Sequence, residues 1–384
     1  MGFYITLLPV WGQLVVGEDW GGRQFPKTVT ADNAYEFGRW IGYRYRDRAN
    51  IIWCLGGDRQ PIHKGVDYRD LWRKMAEGIA KGVTGQDAQW NELGGPWGEI
   101  LITYHTCYEM ETGYYSTMSY WTEDDAWLSF TMLQSGHGLT TRSYVAVREE
   151  IERQCPIPVI DAEPAYELMP MNWPELTPLH DDWIVRKRAY WSILAGSCGH
   201  TYGHASVWCV ISEKERNAVL VDSWFEALER PGAQQMKVLR DLIESVPFDR
   251  LVPDQGMLAH GRTCGDGCLD GHRQAARDLD GRFALVYFTN GGSEVVDLDV
   301  LGGTLSAIWF NPRDGKTYDN EMRCTRNPIA LNAKGKAELR APSHGDRNDW
   351  LLVLAADPGL VRSIGAEREW AVPFKQEEMS MIWA

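Results

Sequence analysis

The sequence predicts an α/β fold, a (β/α) barrel, followed by an antiparallel β-sandwich. Over the first two-thirds of the chain, short apolar runs alternate with polar turns and with segments of helical period. This alternation is typical of parallel strands covered by helices, and buried parallel strands are expected to be continuous apolar runs. After residue 250 short strands follow one another across turns such as Asn-Gly-Gly, and no helical stretch intervenes. That change predicts the sandwich.

Six apolar runs are expected to be the barrel strands. They lie at residues 3–10, 51–55, 100–104, 128–133, 158–161 and 201–207. A closed barrel of this kind needs eight strands. Because the first run begins two residues after Met1, the sequence predicts a barrel that lacks about two N-terminal strands.

Helices are expected between these strands and after the last of them. Residues 31–48 place apolar side chains at helical spacing, with Asp32 as the expected cap. The other predicted helices lie at residues 67–82, 144–154, 183–197, 221–230 and 232–246.

The β-sandwich is expected to consist of short strands separated by turn residues. These strands lie at residues 283–289, 295–300, 305–311, 337–341 and 350–355. The predicted division is therefore a barrel domain at 1–250, a sandwich at 251–357, and an unassigned tail at 358–384.

Composition excludes several classes of partner. The net charge of −14 argues against nucleic acid and anionic membranes, which would repel an acidic surface. Eighteen Trp and sixteen Tyr suit a carbohydrate site, although most of these rings are expected to fill the core. No apolar run approaches the length of a membrane span, and residues 2–8 lack the basic start of a signal peptide. The sequence as it stands predicts a cytoplasmic protein, whereas a lost N-terminal segment would allow a secreted or periplasmic one.

The eight cysteines are scattered, and several lie in apolar runs, which indicates free thiols and a reducing compartment. Cys264 and Cys268 form the one close pair. A small disulfide, half a metal site and two idle thiols all remain open for this pair.

Two carboxylates follow predicted strands. In a (β/α) barrel the chemistry lies at the carboxyl ends of the strands. Asp58 follows Gly56-Gly57 after the second run, and Glu163 follows Asp161-Ala162 after the fifth. Cleavage of a glycosidic bond needs two such groups, one to protonate the leaving oxygen and one to attack or to activate water. The structural alternative is that Asp58 caps a turn and Glu163 pairs with an arginine such as Arg59.

Hydrogen-bonding and aromatic residues accompany the other strand ends, as expected for a polyhydroxylated substrate. The candidate substrate-binding residues are Trp11, Arg59, His105, Gln134, His137, Tyr166, His200, Tyr202, His204 and Trp208. A single histidine at a strand end is more often structural than functional. The histidines also leave open a zinc hydrolase, in which His105, His137, His200 and His204 would bind the metal with Asp58 or Glu163.

Taken together, these motifs resemble the apiosidase-like glycoside hydrolases. The resemblance covers about residues 3–250. It is carried by Pro-Val-Trp-Gly at 9–12, Trp-Cys-Leu-Gly-Gly-Asp-Arg at 53–59, Thr-Tyr-His at 103–105, Gln-Ser-Gly-His at 134–137, Asp-Ala-Glu-Pro-Ala-Tyr-Glu at 161–167 and Gly-His-Thr-Tyr-Gly-His at 199–204. Residues 307–315 and 349–354 resemble the β-sandwich that follows these barrels, which carries a collagen-binding label. A lid or spacer role is the expectation for it.

The resemblance implies a (β/α)8 barrel of the TIM type and a retaining mechanism without a cofactor or a metal. Asp58 would be the general acid/base after strand four, and Glu163 the nucleophile after strand seven. Family members carry two more strands ahead of residue 3. Asp in place of Glu shortens the reach of the acid, which leaves inversion open. The leading hypothesis is a glycosidase acting on a plant-type saccharide. The alternatives are a non-catalytic carbohydrate-binding protein and the metal-dependent hydrolase.

Overall fold

Six short parallel strands form the frame of the N-terminal part. The computed structural model describes residues 3–108, 115–138, 141–153, 157–171, 178–259, 271–331 and 334–365. The strands form two parallel groups, β1-β2-β5 and β6-β7-β8, and a small antiparallel hairpin, β3-β4, lies between β2 and β5 in the chain. The strands are β1 (Ile5–Leu7), β2 (Ile51–Leu55), β3 (Ile62–His63), β4 (Val66–Asp67), β5 (Leu101–Tyr104), β6 (Thr131–Leu133), β7 (Val159–Asp161) and β8 (Gly199–His200).

Side-chain hydroxyls join the two groups where β5 meets β6. Thr103 donates its hydroxyl to the carbonyl of Phe130 at 2.7 Å, and Ser129 accepts the backbone N–H of Ile102 at 3.0 Å. These bonds replace part of a regular ladder and satisfy buried backbone groups. Among the described residues no strand pairs with the free edge of β1 or of β8, so the ring of strands is not closed.

Helices cover the outside of these strands. They are α1 (Gln13–Val16), α2 (Ala34–Tyr45), α3 (Arg69–Thr84), α4 (Ser143–Glu152), α5 (Asp182–Leu194), α6 (Ala205–Trp208), α7 (Trp224–Ala227), α8 (Pro231–Ile243) and α9 (Pro358–Ser363). Short 3₁₀ helices occupy Gly95–Glu99, Thr117–Ser119, Glu213–Glu215, Phe248–Arg250 and Gln255–Met257. Every residue of helix α5 after Asp182 is buried, whereas α3 is buried in its middle and partly exposed towards its ends. No helix among the described residues is both long and apolar enough to cross a membrane.

The C-terminal part is a seven-stranded antiparallel sheet with a two-stranded ribbon beside it. The sheet runs β14-β13-β17-β11-β10-β9, with β15 also paired to β13, and the ribbon is β12-β16. The strands are β9 (Leu251–Pro253), β10 (Arg273–Asp278), β11 (Phe283–Phe288), β12 (Gly291–Asp297), β13 (Leu305–Phe310), β14 (Thr317–Tyr318), β15 (Ile329–Leu331), β16 (Lys336–His344) and β17 (Trp350–Ala355).

Both faces of the large sheet are buried. Every side chain of β11, β13 and β17 is buried, and alternate residues along these strands belong to two different apolar clusters. One cluster includes Val296 and Ala341 of the ribbon. The other includes Leu285 and Tyr287 of β11 together with Trp191 of α5 and residues of α8. The two parts of the chain therefore share one continuous core.

The strand and helix predictions are largely confirmed, including five of the six parallel strands and the antiparallel C-terminal sheet. The sixth strand was placed wrongly, because it ends at His200 and residues 205–208 are helical. The imidazole Nδ1 of His204 accepts the N–H of Ser206 and caps that helix, which outweighs the strand preference of the segment. The expected cap Asp32 is also wrong, since Asn33 is the residue that precedes α2. Cys155, Cys264 and Cys268 lie outside the described residues. The five cysteines within the described residues are free thiols.

Candidate active site

Asp58 stands on a tight turn at the end of β2. Gly56, Gly57 and Asp58 have φ angles of 88°, 63° and 56°. Glycine is required at position 56, because a Cβ there would lie 2.3 Å from the carbonyl oxygen of His105. Asp58 itself adopts a left-handed conformation that costs a non-glycine residue free energy, as residues at functional sites often do.

Two N–H donors hold the Asp58 carboxylate. Trp20 donates its indole N–H to Oδ2 at 3.1 Å, and the Gln134 amide donates to Oδ1 at 3.1 Å. The orientation of that amide is set by its own oxygen, which accepts the backbone N–H of Tyr108. Both carboxylate oxygens of Asp58 are therefore fixed in direction.

Glu163 is held at the end of β7 by backbone and side-chain bonds. The N–H groups of Ala162 and Glu163 both donate to the carbonyl of Leu133, at 2.9 and 3.0 Å. The Glu163 carboxylate has His105 Nε2 at 2.8 Å from Oε2 and His137 Nε2 at 3.6 Å from Oε1.

The fold brings these two carboxylates together at one rim. One oxygen of Asp58, one oxygen of Glu163 and one ring nitrogen of His105 all lie within 4.8 Å of one another. The approach follows from topology, because the carboxyl ends of β2, β5 and β7 point the same way.

The surroundings of the two carboxylates shift their pKa values in opposite directions. Burial and the neighbouring charge of Glu163 raise the pKa of Asp58 to about 6, against the opposing effects of His105, Gln134 and Trp20. Burial also tends to raise the pKa of Glu163, but its bonds to His105 and His137 outweigh burial and lower this pKa to about 2. The pKa of His105 is raised because Glu163 and Asp58 outweigh its burial. Below about pH 6 the proton of the pair therefore belongs to Asp58 rather than to Glu163.

A buried arginine holds the loop that carries His137. Arg188 of α5 donates to the carbonyls of Gly136 and Gly138, and His180 Nε2 lies 2.9 Å from the carbonyl oxygen of His137. The backbone N–H of Gly136 donates to the carbonyl of Glu163 at 2.9 Å. Helix α5 thus fixes both His137 and the segment that bears Glu163.

Some of the predicted candidates contact the two carboxylates, and others lie beside them. His105, Gln134 and His137 contact Asp58 or Glu163 directly, and Tyr166 packs edge-to-face on His137 with ring centroids 4.8 Å apart. Trp11 lies beside the turn that carries Asp58, since a Cβ at Gly57 would be 3.2 Å from its ring.

Three of the predicted binding residues contact carboxylates other than the pair. His200 Nδ1 is 3.7 Å from the buried Asp161, and His204 Nε2 is 3.4 Å from Asp222. Tyr202 donates its hydroxyl to Glu167. The expectation that His200 and His204 share one strand face is wrong, because His204 begins helix α6. The four-histidine metal set is therefore not assembled.

Arg59 and Trp208 lie in different surroundings, the first buried and the second exposed. Only 2% of the Arg59 surface is exposed, and its guanidinium lies 3.6 Å from the ring centroid of Trp20. Arg59 thus packs on the indole ring that bonds to Asp58. Trp208 is exposed on the short helix α6, and no described contact joins it to either carboxylate.

Of the acid and histidine side chains, Asp58, His105 and Glu163 are the three described ones that are close enough to share a metal ion. His105 and Glu163 already bond to each other at 2.8 Å, so each satisfies the other without an ion.

The sequence reasoning missed Trp20. It lies in a loop rather than at a strand end, and it is one of eighteen tryptophans. The neighbouring Gly21-Gly22 was the available signal, because a loop tryptophan beside glycines is unlikely to fill a core.

Comparison with known proteins gives two family matches. Residues 1–250 match the family described as "Apiosidase-like, catalytic domain", and residues 252–355 match the "Putative collagen-binding domain of a collagenase". No curated protein matches the chain.

Solved structures similar to the chain include two with more than a quarter of their residues identical. One is titled "Glycoside hydrolase", with 27% identity and a TM-score of 0.74 over 92% of this chain and 73% of that one. The other is a glycoside hydrolase family 5 protein from Bacteroides vulgatus, with 26% identity and a TM-score of 0.75 over 96% of this chain and 72% of that one. A further structure from the same species, titled "putative glycoside hydrolase", shares the fold at 14% identity and a TM-score of 0.54, over 85% of this chain and 56% of that one.

Proposed function

Because the chain belongs to the apiosidase-like family of glycoside hydrolases, we propose that Asp58 and Glu163 cleave a glycosidic bond by a retaining, two-carboxylate mechanism. The observation that carries the proposal is the close pair of carboxylates whose pKa values are shifted in opposite directions. Retaining enzymes place these groups about 5 Å apart, whereas inverting enzymes leave room for a water between them.

The first chemical step uses the two carboxylates in the states that their surroundings favour. An ionised oxygen of Glu163 attacks the anomeric carbon of the sugar, and the bond from that carbon to the leaving oxygen breaks. The proton of Asp58 passes to the leaving oxygen, so that the first product departs as an alcohol. The result is a glycosyl ester of Glu163.

The second step reverses the roles. The Asp58 carboxylate accepts a proton from water as the water oxygen attacks the anomeric carbon, and the ester bond to Glu163 breaks. His105 and His137 favour the ionised form of Glu163 both before attack and as it leaves. Two displacements restore the original anomeric configuration.

The six parallel strands support the assignment of the N-terminal part to a (β/α)8 barrel. We take β1, β2, β5, β6, β7 and β8 as six of the eight strands of a (β/α)8 barrel, with Asp58 after the fourth and Glu163 after the seventh. The proposed division is a catalytic domain at 1–250, an accessory β-sandwich at 251–357 and a tail at 358–384. The description "Apiosidase-like" supports a plant-type saccharide as the substrate, with apiosides the first to test.

The stereochemistry of the product tests this proposal. The purified chain is incubated with a panel of 4-nitrophenyl glycosides that includes the apioside, and the first-formed sugar is followed by proton NMR. We expect release of nitrophenol and a sugar with the anomeric configuration of the substrate. An inverted first product would contradict the nucleophilic role of Glu163. Binding of oligosaccharides without any hydrolysis would favour a non-catalytic protein, and loss of activity in EDTA would favour the metal-dependent reaction.

The pH profile is expected to show the titration of Asp58. The acid must be protonated in the free enzyme, and its pKa is about 6, so kcat/KM should fall as the pH rises above that value. Glu163, with a pKa of about 2, stays ionised throughout this range. The measurement is kcat/KM against pH, for wild type on a 4-nitrophenyl glycoside and for Asp58→Asn on a 2,4-dinitrophenyl glycoside, whose leaving group needs no proton. A fall near pH 6 that persists in Asp58→Asn would assign it to another group, such as His105.

A further inference from the structure

Trp20 is a large aromatic residue that the fold holds in place yet leaves open to solvent. It is 58% exposed, and it belongs to none of the buried clusters among the described residues. Exposed tryptophans in a rigid setting are often binding surfaces, because their apolar area gains free energy only when a ligand covers it.

One face of the indole is already covered. The Arg59 guanidinium lies 3.6 Å from the ring centroid, and it donates to the carbonyl of Glu18 at 3.1 Å. The Glu18 carboxylate accepts two bonds from Lys64, which lies in the turn of the β3-β4 hairpin. A buried cation on a ring is a firm support. The exposed area of Trp20 is therefore its opposite face and its outer edge.

The indole N–H ties the ring to the proposed acid. It donates to Oδ2 of Asp58 at 3.1 Å, on the opposite carboxylate oxygen from Gln134. In the proposed reaction Asp58 transfers its proton to the leaving oxygen, so the group bonded to that oxygen must lie next to Asp58. A ring that is hydrogen-bonded to the same carboxylate lies within about one sugar width of that group.

We propose that Trp20 is the stacking platform for a sugar on the leaving-group side of the scissile bond, and that its N–H positions the Asp58 carboxylate. The inference rests on the proposed function and deepens it. A flat apolar face selects a cyclic leaving group with exposed C–H bonds, so the natural substrate is at least a disaccharide. Trp20 would be a binding residue toward the leaving sugar and a positioning residue toward the acid.

Two substrates with the same sugar and different leaving groups separate effects at the leaving group from effects elsewhere in the site. The glycosyl fluoride has nothing to stack and needs little protonation, whereas the 4-nitrophenyl glycoside offers a ring. For Trp20→Ala we expect kcat/KM to fall by about 10-fold or more on the nitrophenyl glycoside. On the fluoride of the same sugar we expect a change within about threefold, because general acid catalysis contributes little there.

Trp20→Phe separates stacking from positioning. It keeps the ring but removes the N–H, so kcat/KM on the nitrophenyl glycoside should be largely retained at acidic pH. The N–H bond lowers the pKa of Asp58, so its loss should move the alkaline limb of the profile upward. The other ionisable groups that interact with Asp58 are Glu163, His105, Arg59, Cys107 and Tyr166, and all of them remain in this variant.

Trp40→Ala is the matched control. Trp40 is 56% exposed on α2, and the Arg44 guanidinium lies 5.8 Å from its ring centroid. We expect wild-type kcat/KM on both substrates. If Trp20→Ala lowers kcat/KM equally on the fluoride and the glycoside, or on neither, Trp20 is not a stacking platform for the leaving group. An unshifted alkaline limb in Trp20→Phe would overturn the positioning role. A wild-type chain that hydrolyses neither substrate would instead be a failure of the proposed function.

Discussion

Replacing Glu163 with glutamine should lower kcat by about 10⁴-fold or more while leaving the fold intact. Glutamine has the shape of glutamate and can still bond to His105, but its neutral amide cannot form the glycosyl ester. The fold should survive because Glu163 lies at the rim, where it bonds to His105 and His137 rather than to the apolar core. The measurement is kcat on an active 4-nitrophenyl glycoside, with circular dichroism to confirm the fold.

Glu167→Gln is the control from the same segment. Glu167 is buried four residues further on, its pKa is raised by burial, and it accepts bonds from Tyr202 and Gly232. A neutral side chain is tolerated there, so kcat should stay within about threefold of wild type, as is usual for substitutions outside the reacting groups. Comparable losses in Glu163→Gln and Glu167→Gln would point to a structural effect and remove the case for Glu163 as nucleophile.

Azide distinguishes the two proposed roles. In Glu163→Ala, azide can enter the vacated space and attack the anomeric carbon directly, which gives a glycosyl azide of inverted configuration. In Asp58→Ala, azide attacks the anomeric carbon of the glycosyl ester and displaces Glu163, which gives a glycosyl azide of retained configuration. NMR of the two products reads the assignment directly. Exchange of the two outcomes would mean that Asp58 is the nucleophile and Glu163 the acid.

The pairing of Asp58 with Glu163 could be anticipated because parallel strands point their carboxyl ends to one rim. Each residue directly follows an apolar run, so strand prediction alone placed both on that rim. The same reasoning failed for His204. A histidine can cap a helix as well as extend a strand. The local bond from Ser206 and the distant contact with Asp222 together decide between the two.

Two features of the site could not be predicted because they depend on contacts distant in sequence. Trp20 reaches Asp58 from a loop whose course is fixed by Arg59 and by the hairpin residue Lys64. The charged run Arg186-Lys187-Arg188 normally indicates a solvated helix face, yet all three side chains are buried in α5. The C-terminal sheet covers that helix, and no local pattern reveals the cover.

Helix α5 is the element through which the sheet supports the site. On one side Tyr190 stacks on Tyr287 of β11, with ring centroids 4.8 Å apart, and Trp191 donates to the hydroxyl of Thr289 at 3.0 Å. On another side Arg188 bonds to the carbonyls of the loop that carries His137. The sheet therefore completes the core of the catalytic part.

The strongest polar link across this core joins Arg186 to Asp349. Arg186 donates two bonds of 2.8 Å to the Asp349 carboxylate, which also accepts the Tyr287 hydroxyl at 2.9 Å. The two side chains are 1% and 0% exposed. Arg186→Met leaves Asp349 charged and without its cation, so we expect the free energy of unfolding to fall by about 3–5 kcal/mol. Urea unfolding followed by tryptophan fluorescence and circular dichroism measures this loss.

The double variant Arg186→Met, Asp349→Leu decides the cause of that loss. If the unpaired charge is what destabilises the single variant, removing the charge as well should restore most of the stability, because a buried ion pair can be replaced by apolar side chains at little cost. Arg39→Met breaks the exposed pair with Glu36 and should leave the urea midpoint unchanged. A double variant no more stable than Arg186→Met would show that packing around α5, rather than the buried charge, sets the stability of this interface.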